Sequence, residues 1–476
     1  MKFDSYIAEA KSDKARWNEY LGKVPMLKTS IKILSLINSK GYEAFIVGGG
    51  VRDIILGVNL HDVDIATNMP MDELSKHYKT YGIGSSEDFG IVTIKVDGFD
   101  YEVAQFRQDG KYVDGRKPET VEIVQSFQGD AARRDFTFNA MAIDKEGNII
   151  DFFNGRKDIK NKTVQTVGNP IDRFEEDALR MLRAVRFSSR MGFEIEANTK
   201  DAIKKLKGNV SKLSPERIRD ELLKMAAQSG DKFADAIIKL DEVGILAIIL
   251  PEITKLKEFR DDPQWHPEED AEGGVFAHVI AAIRKNKSDN PLVNLSILLH
   301  DVGKGVTAGV KPNGWNNFHG HAEAGKDMIV DIAKRLKLTN KQRDEIMFAM
   351  LNHMKFHELA SMKPRKIINL IYNEYWETLK AVAFCDDSCR MQMFDKKKWD
   401  ERLLVIQDIE KKWGSKVAST AVKIVDGKRV IELTGLRPSK LVGEIIKKVT
   451  DIVLAKGIKD QKQIDKLIKE VYRELL

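Results

Sequence analysis

The chain has 476 residues, 42% hydrophobic and 32% charged, and its 78 Lys and Arg against 72 Asp and Glu leave a net charge of +6. This composition excludes a disordered or fibrous polymer, and at about 150 residues per domain it anticipates roughly three domains. Two cysteines exclude a disulfide framework or an all-cysteine zinc site, no apolar run approaches the ~18 residues of a membrane span, and the polar N-terminus lacks a signal-peptide core. The chain reads as cytoplasmic, soluble and multidomain, with no membrane attachment and no pattern that sets an oligomeric state. A charge of +6 permits a nucleic-acid partner without requiring one.

In chain order, residues 1–28 carry no readable motif. A helical pattern starts near Thr29 and leads through Gly41 into the strand Ala44–Val47. Further strand signals fall at residues 62–66, 91–96, 101–106 and 121–124, with turn chemistry at Asp97-Gly98 and Asp109-Gly110. After Gly168-Asn169-Pro170 the character changes: residues 175–190, 214–228 and 231–240 read as helices, and the remainder is predominantly helical. The expected fold class is α+β. A head with a small mixed sheet precedes an elongated all-helical neck, a helical body and a helical tail.

The stretch Phe45-Ile-Val-Gly48-Gly49-Gly50-Val-Arg52-Asp53 predicts a strand, a glycine turn and then a helix over residues 51–56. Glycines let backbone approach a ligand, and the helix start offers free N–H groups, so this turn could cradle a triphosphate. Asp62-Val-Asp64 follows about ten residues later. On one strand, residues i and i+2 share a face, which sets the two carboxylates side by side. Adjacent like charges call for a cation, and hard oxygen ligands suit Mg²⁺. A nucleotidyltransferase holds Mg²⁺ against a nucleoside triphosphate in this way. Glu102 is a candidate third acid or, equally, a surface glutamate.

Gly48-Gly49 through Arg52-Asp53, followed by Asp62-x-Asp64, resembles the signature of the class II tRNA nucleotidyltransferase and bacterial poly(A) polymerase superfamily. Arg133-Arg134-Asp135-Phe-Thr-Phe-Asn139-Ala140 is similar to its second motif, Glu176-Asp177-Ala-Leu-Arg180 to its fourth, and Ser214-Pro-Glu-Arg217-Ile218 to the helix that follows. The resemblance spans residues 41–225 in the family's order. It implies a catalytic head at 29–152 behind an N-terminal extension at 1–28, a nucleotide- and RNA-binding neck at 153–255, an HD-type body at 256–395 and a tRNA-binding tail at 396–476. The tail is Lys-rich and amphipathic, and its Gly435-Leu-Arg-Pro-Ser and Val442-Gly-Glu-Ile patterns are loosely similar to HD-containing members.

Arg133 and Arg134 are paired guanidinium forks suited to phosphate oxygens. Asp177 and Arg180, three residues apart, would be neighbours on one helix face. There the carboxylate could accept from the amino group of cytosine or adenine while the guanidinium donates to the adjacent ring nitrogen. Uracil and guanine mismatch both interactions. The resemblance assigns that base-reading role to this pair, with Arg183 and Arg186 continuing the basic side toward phosphate. Residues 107–118 resemble the family's flexible loop, with Lys117 where the usual pattern has Arg, and that loop implies addition of a terminal A as well as C. The expected activity is template-independent addition of C, C and A from CTP and ATP to the 3′ end of tRNA. Its alternatives are a poly(A) polymerase, or a metal-dependent phosphohydrolase whose head merely binds RNA.

Seven of the nine histidines lie between His266 and His357, where an even spread would put about two. With His300-Asp301 adjacent, they supply the ligand types of a divalent transition-metal site. The set resembles the HD-domain phosphohydrolase pattern. That resemblance implies His278, His300, Asp301 and a later aspartate as ligands, with Asp386 the candidate and Asp387 leaving the register open. His266, His321 and His353 would contact phosphate or a second metal. The alternative is a catalytically silent body.

Overall fold

The computed structural model describes residues 2–82, 90–110, 121–261, 273–390, 394–421, 425–458 and 460–475. They form two compact units, the first comprising Met1–Met225 with Asp235–Ile249 and the second Ala226–Ala234 with Leu250–Leu476. Among the described residues, no helix is long and apolar enough to cross a membrane.

The first unit is built on β1 (Ala44–Val47), β2 (Asp64–Thr67), β3 (Thr80–Tyr81), β4 (Ile91–Val96), β5 (Phe99–Gln105), β6 (Arg107–Asp109), β7 (Val121–Ile123), β8 (Met141–Ile143) and β9 (Ile149–Asp151). Seven of these form a sheet in the order β3-β4-β5-β2-β1-β8-β9, while β6 and β7 pair separately. The β2–β5 pairing is parallel and its neighbours are antiparallel, so the sheet is small and mixed as expected. Val47 at the end of β1 lies opposite Asp64 at the start of β2. That register brings the glycine turn to the first strand carboxylate.

Residues 1–28, which carry no readable motif, contain the helix Lys2–Lys23, followed by the helix Pro25–Ser39. Trp17 is 2% exposed, Arg16 donates to the Ile55 carbonyl, and the Tyr20 hydroxyl donates to the Val58 carbonyl at 2.5 Å. The extension is therefore docked on the head. Its seat is Gly147, whose φ is +86° and where an added Cβ would stand 2.3 Å from the Trp17 ring. Gly147→Ala is expected to destabilise the protein by about 2–4 kcal/mol, summing left-handed strain and overpacking. Urea denaturation followed by Trp fluorescence measures it, and an unchanged midpoint would remove Trp17 from this seat.

The neck departs from an all-helical reading in one place. Thr163–Val164 (β10) and Glu194–Ile195 (β11) form a short parallel pair. Two residues a side fall below the length at which alternation is visible in sequence.

Among its described residues, the second unit is helical apart from a short hairpin at Gly309–Val310 and Asn316–Asn317. The tail helices Lys396–Ala421, Gly427–Thr434, Lys440–Lys456 and Gln461–Leu475 share one apolar core with Pro364–Ile371 and Trp376–Cys389, centred on Leu379, Val430, Ile445, Val449 and Ile468.

Candidate active site and cation centre

A cleft of about 780 Å³ opens at the end of β1 and β2. Gly48 adopts φ +70° and ψ −132°, a conformation open to glycine, and starts the helix Gly49–Leu56 without a side-chain cap. A Cβ on Gly48 would sit 3.3 Å from Arg134 Nη1, so the turn also leaves room for that guanidinium. The strand starts at Asp64 rather than Asp62, which lies in the irregular segment before it, so the two carboxylates reach the cleft from a loop and a strand and not from one strand. Burial, Asp62 and Glu102 push the Asp64 carboxyl up to about 6, against the pull of Arg134. Glu102 lines the same cleft. Three acids facing one cavity, with one of them driven toward its neutral form, are a donor set that a divalent cation would neutralise.

The predicted arginines line the cleft as well, but each is held by protein. Asp130, fully buried, takes Arg133 on one oxygen (Nη2 2.7 Å) and Arg134 on the other (Nη2 2.8 Å). Burial opposes ionisation of Asp130, yet the two guanidiniums keep its carboxyl below the usual range. Sequence reading missed this residue, although its i,i+3 and i,i+4 spacing to the two arginines is a signal. Asp135 is held in the same way by Arg183 (2.6 Å) and Asn139 (3.1 Å), against the effect of burial. Arg52 is 5% exposed and joins Asp53 (2.7 Å) to Asn139 (2.8 Å). Arg186 pairs with buried Glu221 at 2.6 Å. Arg52 and Arg186 thus line the cleft wall with buried acidic partners, and Arg186, which continues the basic side or supports the fold, meets Glu221 there.

The helix expected over residues 175–190 is two helices, Pro170–Glu176 and Leu179–Met191. Asp177 stands between them in an extended conformation (φ −147°, ψ 103°) and caps Leu179 N–H at 3.0 Å. Asp177 and Arg180 are therefore not an intrahelical pair. Asp177 pairs with Arg217 at 2.8 Å, and Arg180 with Glu176 at 2.5 Å. Both still line the cleft. Residues 111–118 of the expected flexible loop lie outside the described residues.

The histidine-rich body has its own centre. The groups His278, His300, Asp301 and Asp301, His321, His353 each bring their ligand atoms within 4.8 Å of one another. Nδ1 of His300, His321 and His353 faces a backbone carbonyl at 2.7, 2.9 and 2.6 Å. Each Nε2 faces Asp301, at 3.2, 3.3 and 3.8 Å. Burial and His300 hold His353 down to about 3, so it stays neutral. A Cβ at Gly303 would stand 2.0 Å from the His321 carbonyl, so glycine there lets the helix His321–Arg335 approach Asp301. Asp386 Oδ1 lies 3.3 Å from His278 Nε2, whereas Asp387 turns to His357 and Arg402. Of the two, Asp386 is the aspartate that faces His278 and His300. Imidazoles whose Nε2 atoms converge on buried carboxylates are a donor set that fits a divalent transition ion. A cleft of about 280 Å³ in front carries Lys304, Lys311 and Arg390 with His319. His266 lies outside the described residues.

Residues 44–165 match the family model of the poly(A) polymerase head domain, 192–257 that of a probable RNA-binding site of the polymerase, and 274–392 that of the HD domain. The chain thus carries a poly(A) polymerase head domain, the polymerase's probable RNA-binding segment and an HD domain in series. It is 45% identical over 206 residues to a CCA-adding enzyme of Lactobacillus johnsonii, covering 43% of this chain and 51% of the relative. It is 43% identical over 236 residues to one of Geobacillus thermodenitrificans, covering 49% and 57%. The chain thus spans about half the length of the curated relatives it matches. Among solved structures, it resembles the Bacillus stearothermophilus CCA-adding enzyme in complex with CTP, with 26% identity, 94% of this chain and 98% of that one covered, and TM-score 0.66. It shares its fold with the Thermotoga maritima CCA-adding enzyme complexed with tRNA, at 18% identity over 95% and 98% of the chains and TM-score 0.57.

Proposed function

We propose that this chain is a CCA-adding nucleotidyltransferase that extends the 3′ end of tRNA by C, C and A from CTP and ATP and releases pyrophosphate. One observation carries the reading: the glycine turn, Asp62 and Asp64, and Asp177 with Arg180 all line one cleft. The glycine turn receives the triphosphate, and Arg134, anchored by Asp130, offers its remaining N–H groups to phosphate oxygens. Asp62 and Asp64, with Glu102 beside them, would hold Mg²⁺, which supplies positive charge for the attacking hydroxyl and the α-phosphate. Asp177 and Arg180 read the base edge, so selection needs no template. Residues 396–476 would bind the tRNA elbow.

The test is incubation with a tRNA ending at the discriminator base and each nucleotide in turn. CTP alone should add two residues, and ATP should then add one. Repeated addition of ATP to unrelated RNA would establish a poly(A) polymerase instead.

A second activity is favoured by the convergent imidazoles of the body. His278, His300, Asp301 and Asp386 would hold a divalent transition ion, His321 and His353 a second ion or a phosphate, and Lys304, Lys311 and Arg390 would draw an anionic phosphate ester into the adjoining cleft. Hydrolysis of such an ester by the full-length chain, lost in Asp301→Ala, is the expected result.

A further inference from the structure

We propose that His357 is a positioning residue of the body's cation centre, holding Asp386 by its outer carboxylate oxygen while Asp387 and Arg402 hold His357. The inference rests on the reading of that centre as a cation site. His357 is the one histidine of the cluster's described members left without a role by the ligand geometry and by the adjoining cleft. Its Nε2 lies 3.4 Å from Asp386 Oδ2, and its Nδ1 3.3 Å from Asp387 Oδ1. With a carboxylate against each ring nitrogen, both nitrogens donate. Asp387 Oδ2 in turn accepts from Arg402 Nη1 at 2.6 Å.

The two oxygens of Asp386 therefore have different duties. Oδ1 faces the inner imidazole of His278 at 3.3 Å and takes Arg390 Nη2 at 3.1 Å. Oδ2 is committed to His357. A carboxylate free at both oxygens turns about its Cβ–Cγ bond and presents either oxygen, or both, to a cation. Fixing Oδ2 leaves Oδ1 as the single inward ligand. His353 and His357 are four apart on the helix Asn340–His357, so one helix carries an inner imidazole and this outer one. Arg402 comes from the tail helix Lys396–Ala421. A residue beyond the matched HD segment, which ends at 392, thus completes the support of a centre within it.

The test titrates Mn²⁺ calorimetrically into the full-length chain carrying Asp64→Asn, which disables the head's cation site. In that parent, His357→Ala should weaken Mn²⁺ affinity by about 10–100-fold, the usual cost of removing a partner of a metal ligand. Arg402→Met should weaken it less, and His357→Gln, whose amide can still donate to Asp386, should restore part of the loss. Relative to His357→Ala, His357→Gln should regain more of the Mn²⁺ affinity than of the metal-free melting temperature, which a purely structural role would not allow. If His357→Ala does not fold, Arg402→Met and His357→Gln decide the matter. Parental affinity in every folded variant would overturn the positioning role alone. A parent that binds no Mn²⁺ would overturn the cation reading of the body and this inference with it.

Discussion

Asparagine at position 64 is expected to lower nucleotide incorporation by at least about 10³-fold, the scale on which cation or charge stabilisation acts in a closed site, without weakening the fold. The reason lies in the raised Asp64 carboxyl. Burial, Asp62 and Glu102 push it to about 6, so above that pH its charge opposes folding of the metal-free protein. A carboxyl whose folded pKa is raised contributes stability below its unfolded value and loses it as pH rises through about 6. At pH 7.5 the Asp64→Asn protein should therefore melt no lower than wild type in the presence of a chelator. Activity runs the other way, because a cation needs the ionised form. Incorporation by the wild-type enzyme should fall as pH drops through 6, and raising Mg²⁺ should shift that fall to lower pH. A rate flat from pH 8 to 5, or wild-type incorporation by Asp64→Asn, would remove Asp64 from the chemistry.

How far the sequence reached depended on whether a feature is made locally. The glycine turn, the strand Ala44–Val47 and the strand Ile91–Val96 come from contiguous residues, and they stand where their patterns put them. The histidine cluster was visible as a density of ligand types. The choice between Asp386 and Asp387 was not, because consecutive helical residues point about 100° apart and only the packed partners show which way is inward. The N-terminal helix stayed unread for a similar reason. Its key residue, Trp17, is explained by a left-handed Gly147 about 130 residues away. Asp130 was passed over because the two arginines after it drew attention as phosphate ligands, whereas a fully buried carboxylate claims part of both forks. The Asp177 break was hidden by a run, Glu-Glu-Asp-Ala-Leu-Arg, whose helix propensity is continuous. A short Asp side chain can instead bond the backbone two residues on, and here it also meets Arg217, forty positions away.

That break sharpens the second large expectation. In Asp177→Ala, the preference for CTP over UTP, compared as kcat/KM, should fall by about 10–100-fold, while incorporation itself continues with all four nucleotides. Asp177 uses one oxygen on Leu179 N–H and the other on Arg217. Each carboxylate oxygen has a second lone pair, so an amino group of cytosine or adenine can still be accepted. Arg180 has five N–H donors, of which three go to Arg173 O, Glu176 and Arg133 O. The remaining donors suffice for one ring nitrogen. Because separate anchors fix the two groups, the readout tolerates the absence of a direct Asp177–Arg180 contact. Glu176→Gln, which loosens Arg180 alone, should weaken discrimination less than Asp177→Ala and leave metal dependence unchanged. A uniform loss with all four nucleotides in Asp177→Ala, at an unaltered CTP-to-UTP ratio, would make Asp177 a brace between the two helices and take base selection elsewhere in the cleft.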